Sequence, residues 1–278
     1  MTPPWRPIVE DLLAAYRAGR HLILLFDYDG TLVPIADHPR LARLTPHGRR
    51  LLESLAGQPR VHLGILSGRA LDDLKEILCL GNVCLAGTSG LELDLYGLQL
   101  VHPGARRARA LIEDIAHRVS AALPLFPGAW LEDKRLGFTV HLRHTPPHLT
   151  QRLRLHVREI LEPVSSALRS DDGPMALEVT PNLDWDKGTA VSMIVRHLRP
   201  CAHALLYAGD SANDAAALET TIALGGMGIG VGPEAPPAQY CLPDAEAVQE
   251  LLADLERGVS AATGPAGLTP ALRRQRSA

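Results

Sequence analysis

Short apolar runs that end in acidic or hydroxyl-bearing turns recur along the chain and predict a parallel sheet. Residues 21–26 are bulky and almost all apolar, so they predict a strand that is buried on both faces. Similar runs at 61–66 and 204–208 also end in turns, and helical spacing follows the first of them at 71–78. Helices and strands alternate from residue 8 to about residue 90, as in a doubly wound sheet. The predicted fold class is therefore α/β, with a Rossmann-like core.

After residue 90 the pattern changes to a mixture of alternating strands and long helices. Strands are predicted at 91–96, 129–133, 137–143, 168–170 and 175–180, and helices at 105–122 and 147–161. This β-α-β-β-α-β-β order predicts a small α+β unit inserted into the core. We place the core at 1–103 and 184–258 and the inserted cap at 104–183. The tail at 259–278 lacks apolar periodicity and is expected to be disordered.

Polar side chains share one face of the strands predicted in the cap. Thr139, His141 and Arg143 alternate with apolar residues, and Glu178 alternates with a packed set that includes Met175. The residues Glu132 and Lys134 lie on one side of their own strand. Such alternation usually marks the solvated face of a sheet. Beside a phosphate site, the same face predicts a cap that recognises a polyol.

Two carboxylates two positions apart follow the first buried strand. Asp27 and Asp29 precede Gly30 and Thr31 at the carboxyl end of this strand, where open α/β sheets bind their substrates. An acidic turn chosen for its geometry alone is the simpler interpretation. The functional interpretation makes Asp27 a nucleophile that attacks phosphorus and Asp29 the group that handles the proton. We include Thr31 among the candidate substrate-binding residues.

The end of the second strand and the start of a later helix both carry groups suited to binding a phosphate. Ser67, Gly68 and Arg69 follow the second strand and precede a helix, whose start favours anions. Ser67 as a helix cap and Arg69 as a solvated side chain are the alternatives. Lys187 opens a helix, where a positive charge opposes the helix dipole. As a counter-charge to Asp27 and a phosphate, its position is sensible. An exposed lysine is the alternative.

The fourth strand end predicts a magnesium site. Asp210 follows the strand at 204–208, and magnesium prefers oxygen ligands with only one or two from carboxylates. We predict that Asp27, Asp210 and the backbone carbonyl of Asp29 bind Mg²⁺. Asn213 and Asp214 are expected to orient water, the metal ligands or Lys187. A capped turn without metal is the alternative for this segment.

Composition limits the remaining possibilities. A chain of 278 residues with 46% hydrophobic content can bury a large core. The net charge of -3 provides no global basic field for nucleic acid. No apolar run is long enough for a bilayer and no export signal is evident, so we expect a cytoplasmic enzyme without membrane partners. We expect a monomer and leave other oligomeric states open. The four cysteines, Cys79, Cys84, Cys201 and Cys241, are expected to be reduced core residues.

The four strand-end motifs together resemble those of the haloacid dehalogenase superfamily, whose phosphatases and mutases form an aspartyl-phosphate on the first Asp. The segments 131–134, 141–143 and 177–190 narrow the resemblance to the trehalose-6-phosphate phosphatases. This resemblance covers about residues 24–255 and implies that a small-molecule sugar phosphate is the substrate. It also implies the residues near the sugar: Glu132, Lys134, Arg143, Glu178 and Asn182.

Two departures from that family leave other substrates open. Ser89 stands where the family usually has His, and residues 209–214 are closer to sucrose-phosphate and mannosyl-phosphoglycerate phosphatases. Hydrolysis of another glycosyl or sugar phosphate is therefore the nearest alternative. A phosphohexomutase is a second enzymatic alternative. A binding module with a retired active site is disfavoured because no expected catalytic residue is missing.

Overall fold

Two sheets organise the computed structural model, which describes residues 3–173, 175–198 and 202–263. The strands in chain order are β1 His21–Asp27, β2 Val61–Leu66, β3 Cys84–Gly87, β4 Glu92–Leu95, β5 Leu98–Val101, β6 Trp130–Asp133, β7 Phe138–His141, β8 Leu168–Gly173, β9 Ala176–Pro181, β10 His203–Gly209, β11 Met227–Val231 and β12 Tyr240–Leu242. The α-helices are α1 Arg6–Arg17, α2 Pro46–Ala56, α3 Leu71–Leu78, α4 Pro103–Ala122, α5 Pro147–Leu161, α6 Lys187–Leu198, α7 Ala215–Ala223 and α8 Ala245–Thr263.

The larger sheet has the strand order β12-β11-β10-β1-β2-β3-β4-β5. Its first six strands are mutually parallel, and β4 and β5 continue it in antiparallel pairing. Because β1 lies between β10 and β2, the carboxyl ends of these three strands meet at one edge. The α/β fold class expected from the sequence is confirmed.

Helices cover both faces of the central strand β1, as its uninterrupted apolar run requires. Leu24 on one face belongs to a core shared with α1, α2, α3 and α8. Leu25 on the other face packs in a core shared with α6 and α7. Both side chains are at most 1% exposed, and burying such a leucine contributes about 1.5 to 3 kcal/mol each. This double burial makes β1 a rigid support for the residues that follow it.

The smaller sheet is antiparallel and has the order β6-β7-β9-β8. One face packs against α4 and α5, where Ile115 and Val157 share a core with Val140 and Leu177. The opposite face looks towards the edge of the larger sheet where β1, β2 and β10 end. The limits 104–183 for a cap stay a prediction, although every strand of this sheet lies within them.

Two segments connect the sheets, and they contact each other. His102 accepts a hydrogen bond from the Gly104 N–H and so caps the start of α4. Its ring lies 4.6 Å from the ring of Trp185, between the centroids, shortly before α6 begins. The chain therefore leaves the larger sheet and returns to it at nearly one place.

The strand at 91–96 belongs to the larger sheet, as the core limits 1–103 imply, so counting it in the β-α-β-β-α-β-β order of the inserted unit is wrong. Leu93 and Leu95 are buried against the core of that sheet, and β4 pairs with β3. The turn at Tyr96 and Gly97, both with positive φ, leads into β5, which was not expected. Alternation predicts a half-buried strand, but it does not say which sheet the strand joins.

The expectation of disorder from residue 259 is wrong for its first residues, because α8 continues to Thr263. Val259 is fully buried, and Thr263 donates from its hydroxyl to Gln58 Oε1 at 2.9 Å. Alanines and hydroxyl residues thus continue the helix where the sequence suggested no apolar periodicity. Residues 264–278 lie outside the described residues.

Individual burial predictions in two places are also wrong. Cys84 is buried as expected, whereas Cys79 and Cys241 are exposed, and Cys201 lies outside the described residues. Met175, expected to pack beside Leu177 and Val179, is 50% exposed at the margin of the cleft. It precedes the first paired residue of β9, so the alternation of that strand does not yet apply to it.

Candidate active site

A cleft of about 1190 Å³ lies between the polar face of the smaller sheet and the carboxyl edge of the larger sheet. Asp27 ends β1 at its floor and is 5% exposed. The Nζ of Lys187, the first residue of α6, donates to Asp27 Oδ1 at 2.6 Å. Parallel pairing of β1 with β10 brings Asp210 to the same edge. Groups from distant parts of the chain therefore meet around one carboxylate.

Asp214 also binds the ammonium group of Lys187. Lys187 Nζ donates to Asp214 Oδ1 at 2.7 Å and to Asn213 Oδ1 at 3.3 Å. Asp214 is completely buried and also accepts from Tyr207 Oη at 2.6 Å. Its Oδ2 accepts from the backbone N–H groups of Asp210 and Ser211, each at 3.1 Å. Asn213 and Asp214 thus have the geometry expected of groups that orient Lys187.

Negative charge at the cleft floor exceeds what Lys187 balances. Burial raises the pKa of Asp27 well above its usual range; the charge of Lys187 opposes this effect, and Asp214 and Asp210 add to it. Burial and the neighbouring Asp214 raise the pKa of Asp210 to about 6. Burial alone would lower the pKa of Lys187, but Asp214 and Asp27 together raise it. The site therefore suits an additional cation.

The donor set at this position fits a hard divalent cation. Asp27, Asp210 and Asp214 each offer a carboxylate oxygen, and these oxygens all lie within 4.8 Å of one another. Gly30, at φ +90°, allows the Asp210 carboxylate to approach, since a Cβ there would collide with it. Carboxylate oxygens are the ligands that magnesium prefers. The side chain of Asp29 is not in this group, and it contacts Arg69 instead.

Ser67 and Gly68 line the cleft immediately after β2. The helix α3 begins at Leu71 after Ala70, so Ser67 is not its cap. Ser67 is 2% exposed, and its Oγ accepts from the Arg69 N–H at 3.2 Å. The Ser89 N–H donates to the Ser67 carbonyl at 2.9 Å. Ser89, at φ 54°, lines the cleft beside it.

Arg69 is buried, with 5% of its surface exposed, and does not extend into solvent. Its Nε donates to Asp29 Oδ2 at 2.7 Å and its Nη2 to Asp29 Oδ1 at 2.8 Å. Nη1 donates to Asp73 Oδ2 at 2.9 Å, and Nη2 also donates to the Pro39 carbonyl at 2.7 Å. The guanidinium is therefore held by oxygens from three segments of the chain.

Paired polar side chains of the smaller sheet form the opposite wall of the cleft. Lys134 Nζ donates to Glu178 Oε1 at 2.7 Å, and these two groups approach Gly68. His141 Nε2 lies 2.7 Å from Glu132 Oε2. Burial would raise the pKa of Glu132, but the His141 hydrogen bond and the charge of Lys134 together lower it.

Two contacts join the smaller sheet and Arg143 after it to the segment that follows β1. The indole of Trp130 lies between two imidazoles, with centroid distances of 4.0 Å to His141 and 4.8 Å to His38. Arg143 Nη1 lies 3.6 Å from Asp37 Oδ1 in the segment after β1. These contacts bring the polar face of the smaller sheet over the carboxylates at the floor.

Comparison with known proteins identifies the family of this arrangement. The sequence profile described as trehalose-phosphatase matches residues 25–231. The chain belongs to the trehalose-phosphatase family. A trehalose-phosphate phosphatase of Mycobacterium avium is 32% identical over 256 residues, which cover 87% of this chain and 64% of that protein. The chain therefore spans less than two thirds of the length of this relative.

Solved structures extend the likeness to the fold. The C-terminal domain of C. albicans trehalose-6-phosphate phosphatase has a TM-score of 0.75 at 23% identity, covering 90% of this chain and 97% of that one. A haloacid dehalogenase-like hydrolase from Bacteroides thetaiotaomicron has a TM-score of 0.60 at 15% identity, with 84% and 99% covered. The family resemblance is confirmed, and these structures share the fold of the chain. Across the described residues, no helix is both long and apolar enough to span a membrane.

Two residues expected to bind substrate lie away from the cleft of this family member. Asn182 is exposed and donates from Nδ2 to the Ser165 carbonyl at 3.2 Å. Thr31 is fully buried, and its Oγ1 has no hydrogen-bond partner within the described residues. Neither residue lines the cleft, although Pro181 and Leu183 on either side of Asn182 do.

The sequence interpretation did not include several residues that do line the cleft. Trp130 precedes Glu132 by two positions on β6, so strand alternation could have identified it. Asp37 lies outside regular structure in the loop after β1, and no periodicity signals its approach to Arg143. Asp73 lies in the first turn of α3, four residues after Arg69, a spacing that can bring the two side chains together.

Proposed function

We propose that the chain hydrolyses trehalose 6-phosphate to trehalose and phosphate in a magnesium-dependent reaction. The observation that carries this proposal is the buried Asp27 carboxylate, 2.6 Å from Lys187 Nζ, beneath a wall of polar side chains. A carboxylate with an adjacent counter-charge is suited to attack phosphorus. A polar wall above it is suited to bind sugar hydroxyls. Membership of the trehalose-phosphatase family supports the choice of substrate.

In the first half-reaction, an Asp27 oxygen forms a bond to phosphorus while the bond between phosphorus and the sugar oxygen breaks. Asp29 gives a proton to the departing sugar oxygen, which releases trehalose and leaves an aspartyl-phosphate. In the second half-reaction, Asp29 takes a proton from water. The resulting oxygen attacks phosphorus, which frees the Asp27 carboxylate and releases phosphate.

Lys187 and Ser67 are proposed to hold the phosphate during both steps. Lys187 neutralises negative charge beside Asp27 and keeps its position because Asp214 fixes its ammonium group. Ser67 offers its hydroxyl at the end of β2, and Gly68 lines the cleft beside it. Preorganised donors of this kind stabilise charge that develops in the transition state.

A magnesium ion fits the carboxylates at the cleft floor, and Asp27 and Asp210 would hold it. We also propose the backbone carbonyl of Asp29 as a ligand, and the buried Asp214 adds a further oxygen nearby. When bound, the ion supplies positive charge that offsets the crowding of carboxylates and phosphate. The excess negative charge described above supports this requirement.

Glu132, Lys134, Arg143 and Glu178 are proposed to recognise the sugar. All four line the wall of the cleft that faces the carboxylates, where sugar hydroxyls attached to a bound phosphate would extend. Their mixture of donors and acceptors matches hydroxyl groups, which both donate and accept hydrogen bonds. Asn182 is not retained in this set because its side chain is engaged elsewhere.

The proposal is tested by phosphate release from a panel of sugar phosphates in the presence of magnesium. Trehalose 6-phosphate should give the highest kcat/KM. A higher value for sucrose phosphate or a glycosyl phosphoglycerate would change the assigned substrate but not the type of reaction. Stimulation by an added hexose bisphosphate would instead indicate a phosphohexomutase. Complete inertness towards every phosphate monoester would exclude the catalytic proposal.

The chemical roles are tested by two isosteric variants. Asp27→Asn should lose essentially all turnover because no other nucleophile is in place. Asp29→Asn should stay active, with a turnover rate lower by a factor of about 10² to 10⁴. Rapid acid quenching of wild type should trap a phosphoenzyme. Comparable mild losses in both variants, with no phosphoenzyme in wild type, would contradict the covalent mechanism.

A further inference from the structure

Asp29 is held by a bidentate ion pair, and this arrangement bears on how the proton-handling group is oriented. Both of its carboxylate oxygens accept hydrogen bonds from Arg69, at 2.7 and 2.8 Å. The side chain of Asp29 is 36% exposed towards the cleft, whereas that of Arg69 is only 6% exposed. A planar guanidinium that meets both oxygens fixes the plane of the carboxylate as well as its position.

Arg69 also donates hydrogen bonds to groups that are not part of the proposed phosphate site. Asp73, one helical turn further on, accepts from Nη1 at 2.9 Å, and the Pro39 carbonyl accepts from Nη2 at 2.7 Å. The guanidinium carbon also lies 5.4 Å from the centre of the Tyr28 ring. Three of the four donor contacts of Arg69 therefore involve carboxylates, and they hold its charged group in one orientation.

A phosphate ligand would need guanidinium donors directed towards the phosphate. Nε is occupied by Asp29, and Nη2 is shared between Asp29 and Pro39. Lys187 Nζ, by contrast, donates directly to Asp27, and Ser67 lines the same cleft. The contacts of Arg69 thus match a residue that orients another side chain better than one that binds the substrate.

From these contacts we infer that Arg69 is a positioning residue for Asp29, and that Asp73 acts through Arg69 to fix it. This inference rests on the proposed function, because it concerns the residue that transfers the proton. It revises the expectation that Arg69 binds substrate. It also gives Asp73, which the sequence interpretation did not select, a function in catalysis.

The consequence is a dependence on the leaving group. A sugar oxygen departs as a poor leaving group and needs the proton of a correctly placed Asp29, whereas 4-nitrophenolate departs without one. Misplacement of a catalytic group by about 1 Å can cost about 10²-fold. Loss of the Arg69 contacts should therefore slow phosphoenzyme formation from a sugar phosphate far more than from 4-nitrophenyl phosphate.

The test compares Arg69→Gln, Asp73→Asn and wild type in rapid-quench experiments with both substrates. Phosphoenzyme formation from trehalose 6-phosphate should fall about 30-fold to 100-fold in Arg69→Gln and about 3-fold to 10-fold in Asp73→Asn. The initial burst from 4-nitrophenyl phosphate should stay within about 3-fold of wild type, as should the inhibition constant of inorganic phosphate. Asp72→Asn is the matched control, since Asp72 lies on the same helix but pairs with the exposed Arg135.

Measurements in an Asp29→Asn background separate positioning from other roles. If Arg69 acts through Asp29, Arg69→Gln should add less than about 3-fold to the loss already caused by Asp29→Asn. Independent, multiplicative losses would overturn the inference, as would a weakening of phosphate inhibition by 10-fold or more. Retention of the melting temperature within a few degrees shows that the variants are folded.

Failure of the substrate proposal is distinguishable from failure of this inference. If wild type does not hydrolyse trehalose 6-phosphate, the same comparison is made with the alkyl phosphate that it hydrolyses fastest. The burst from 4-nitrophenyl phosphate, phosphate inhibition and coupling to Asp29 do not depend on the identity of the sugar. A normal rate with a poor leaving group in Arg69→Gln would therefore reject the positioning role by itself.

Discussion

Lys187 Nζ donates to Asp214 Oδ1 at 2.7 Å, while neither side chain is more than 1% exposed. Removing the lysine charge leaves Asp214 and Asp27 buried without their shared partner. We therefore expect Lys187→Met to lower the free energy of unfolding by about 3 to 5 kcal/mol at pH 7.5 without metal. Urea unfolding followed by circular dichroism measures this change.

The control for that variant is Lys75→Met. Lys75 pairs with Asp94 at 2.5 Å, but its side chain is 30% exposed. The expected cost is below about 1 kcal/mol, because solvent screens such a pair. Equal decreases in the free energy of unfolding of the two variants would mean that the contribution of Lys187 to stability does not depend on its burial.

Magnesium should stabilise the folded protein through the carboxylates at the cleft floor. At a concentration about 100 times the dissociation constant, a ligand adds about 2.7 kcal/mol of stability. For a chain of this size, that predicts a rise in Tm of about 5 °C. Asp210→Asn should abolish most of the rise, whereas Asp11→Asn, at an exposed position on α1, should preserve it. An unchanged rise in Asp210→Asn would contradict the metal assignment.

The raised pKa of Asp210, about 6, predicts a pH-dependent effect of neutralising it. Because the folded-state pKa lies above the unfolded one, the ionised carboxylate destabilises the metal-free protein. The stability present at low pH is lost as the pH rises through about 6. The free energy of unfolding of Asp210→Asn, relative to that of wild type, should therefore increase by about 1 to 3 kcal/mol between pH 4.5 and 7.5. Urea unfolding in EDTA at each pH measures the two free energies of unfolding. An advantage of the variant that shrinks as the pH rises would refute the prediction.

The polar face of the smaller sheet should matter for sugars and not for small aryl phosphates. Glu178→Ala and Arg143→Ala are expected to lower kcat/KM for trehalose 6-phosphate by about 10-fold to 10³-fold. Hydrolysis of 4-nitrophenyl phosphate should barely change. Glu113→Ala is the control, since Glu113 pairs with Arg109 on an exposed face of α4. Equal losses on both substrates would show that these residues support folding instead of recognition.

The parts of the fold that the sequence predicted well are those with a strong local signal. β1 follows from its apolar run, α6 from the spacing of Val191, Ile194 and Leu198, and α5 was predicted at 147–161, the range it occupies. The antiparallel extension by β4 and β5 was not predicted, because the choice of partner strand depends on contacts far along the chain.

Within the candidate site, local motifs predicted residue types better than they predicted contacts. Lys187 was expected beside Asp27 and lies 2.6 Å from it, since strand ends meet at one edge. The partner of Asp29 was not predicted: the sequence directed Arg69 to the phosphate, whereas its donors contact Asp29 and Asp73. Side-chain direction after a strand depends on the turn, and a turn motif does not specify it.

The contact between His102 and Trp185, whose ring centroids are 4.6 Å apart, has an evolutionary consequence. An insertion whose two ends meet can be lengthened, shortened or exchanged without shifting the pairing of the strands on either side of it. The wall formed by the smaller sheet can therefore change while β1, β2 and β10 keep the carboxylates in place. For protein engineering, this point of contact is the natural junction for replacing the smaller sheet and its helices while the larger sheet stays unchanged.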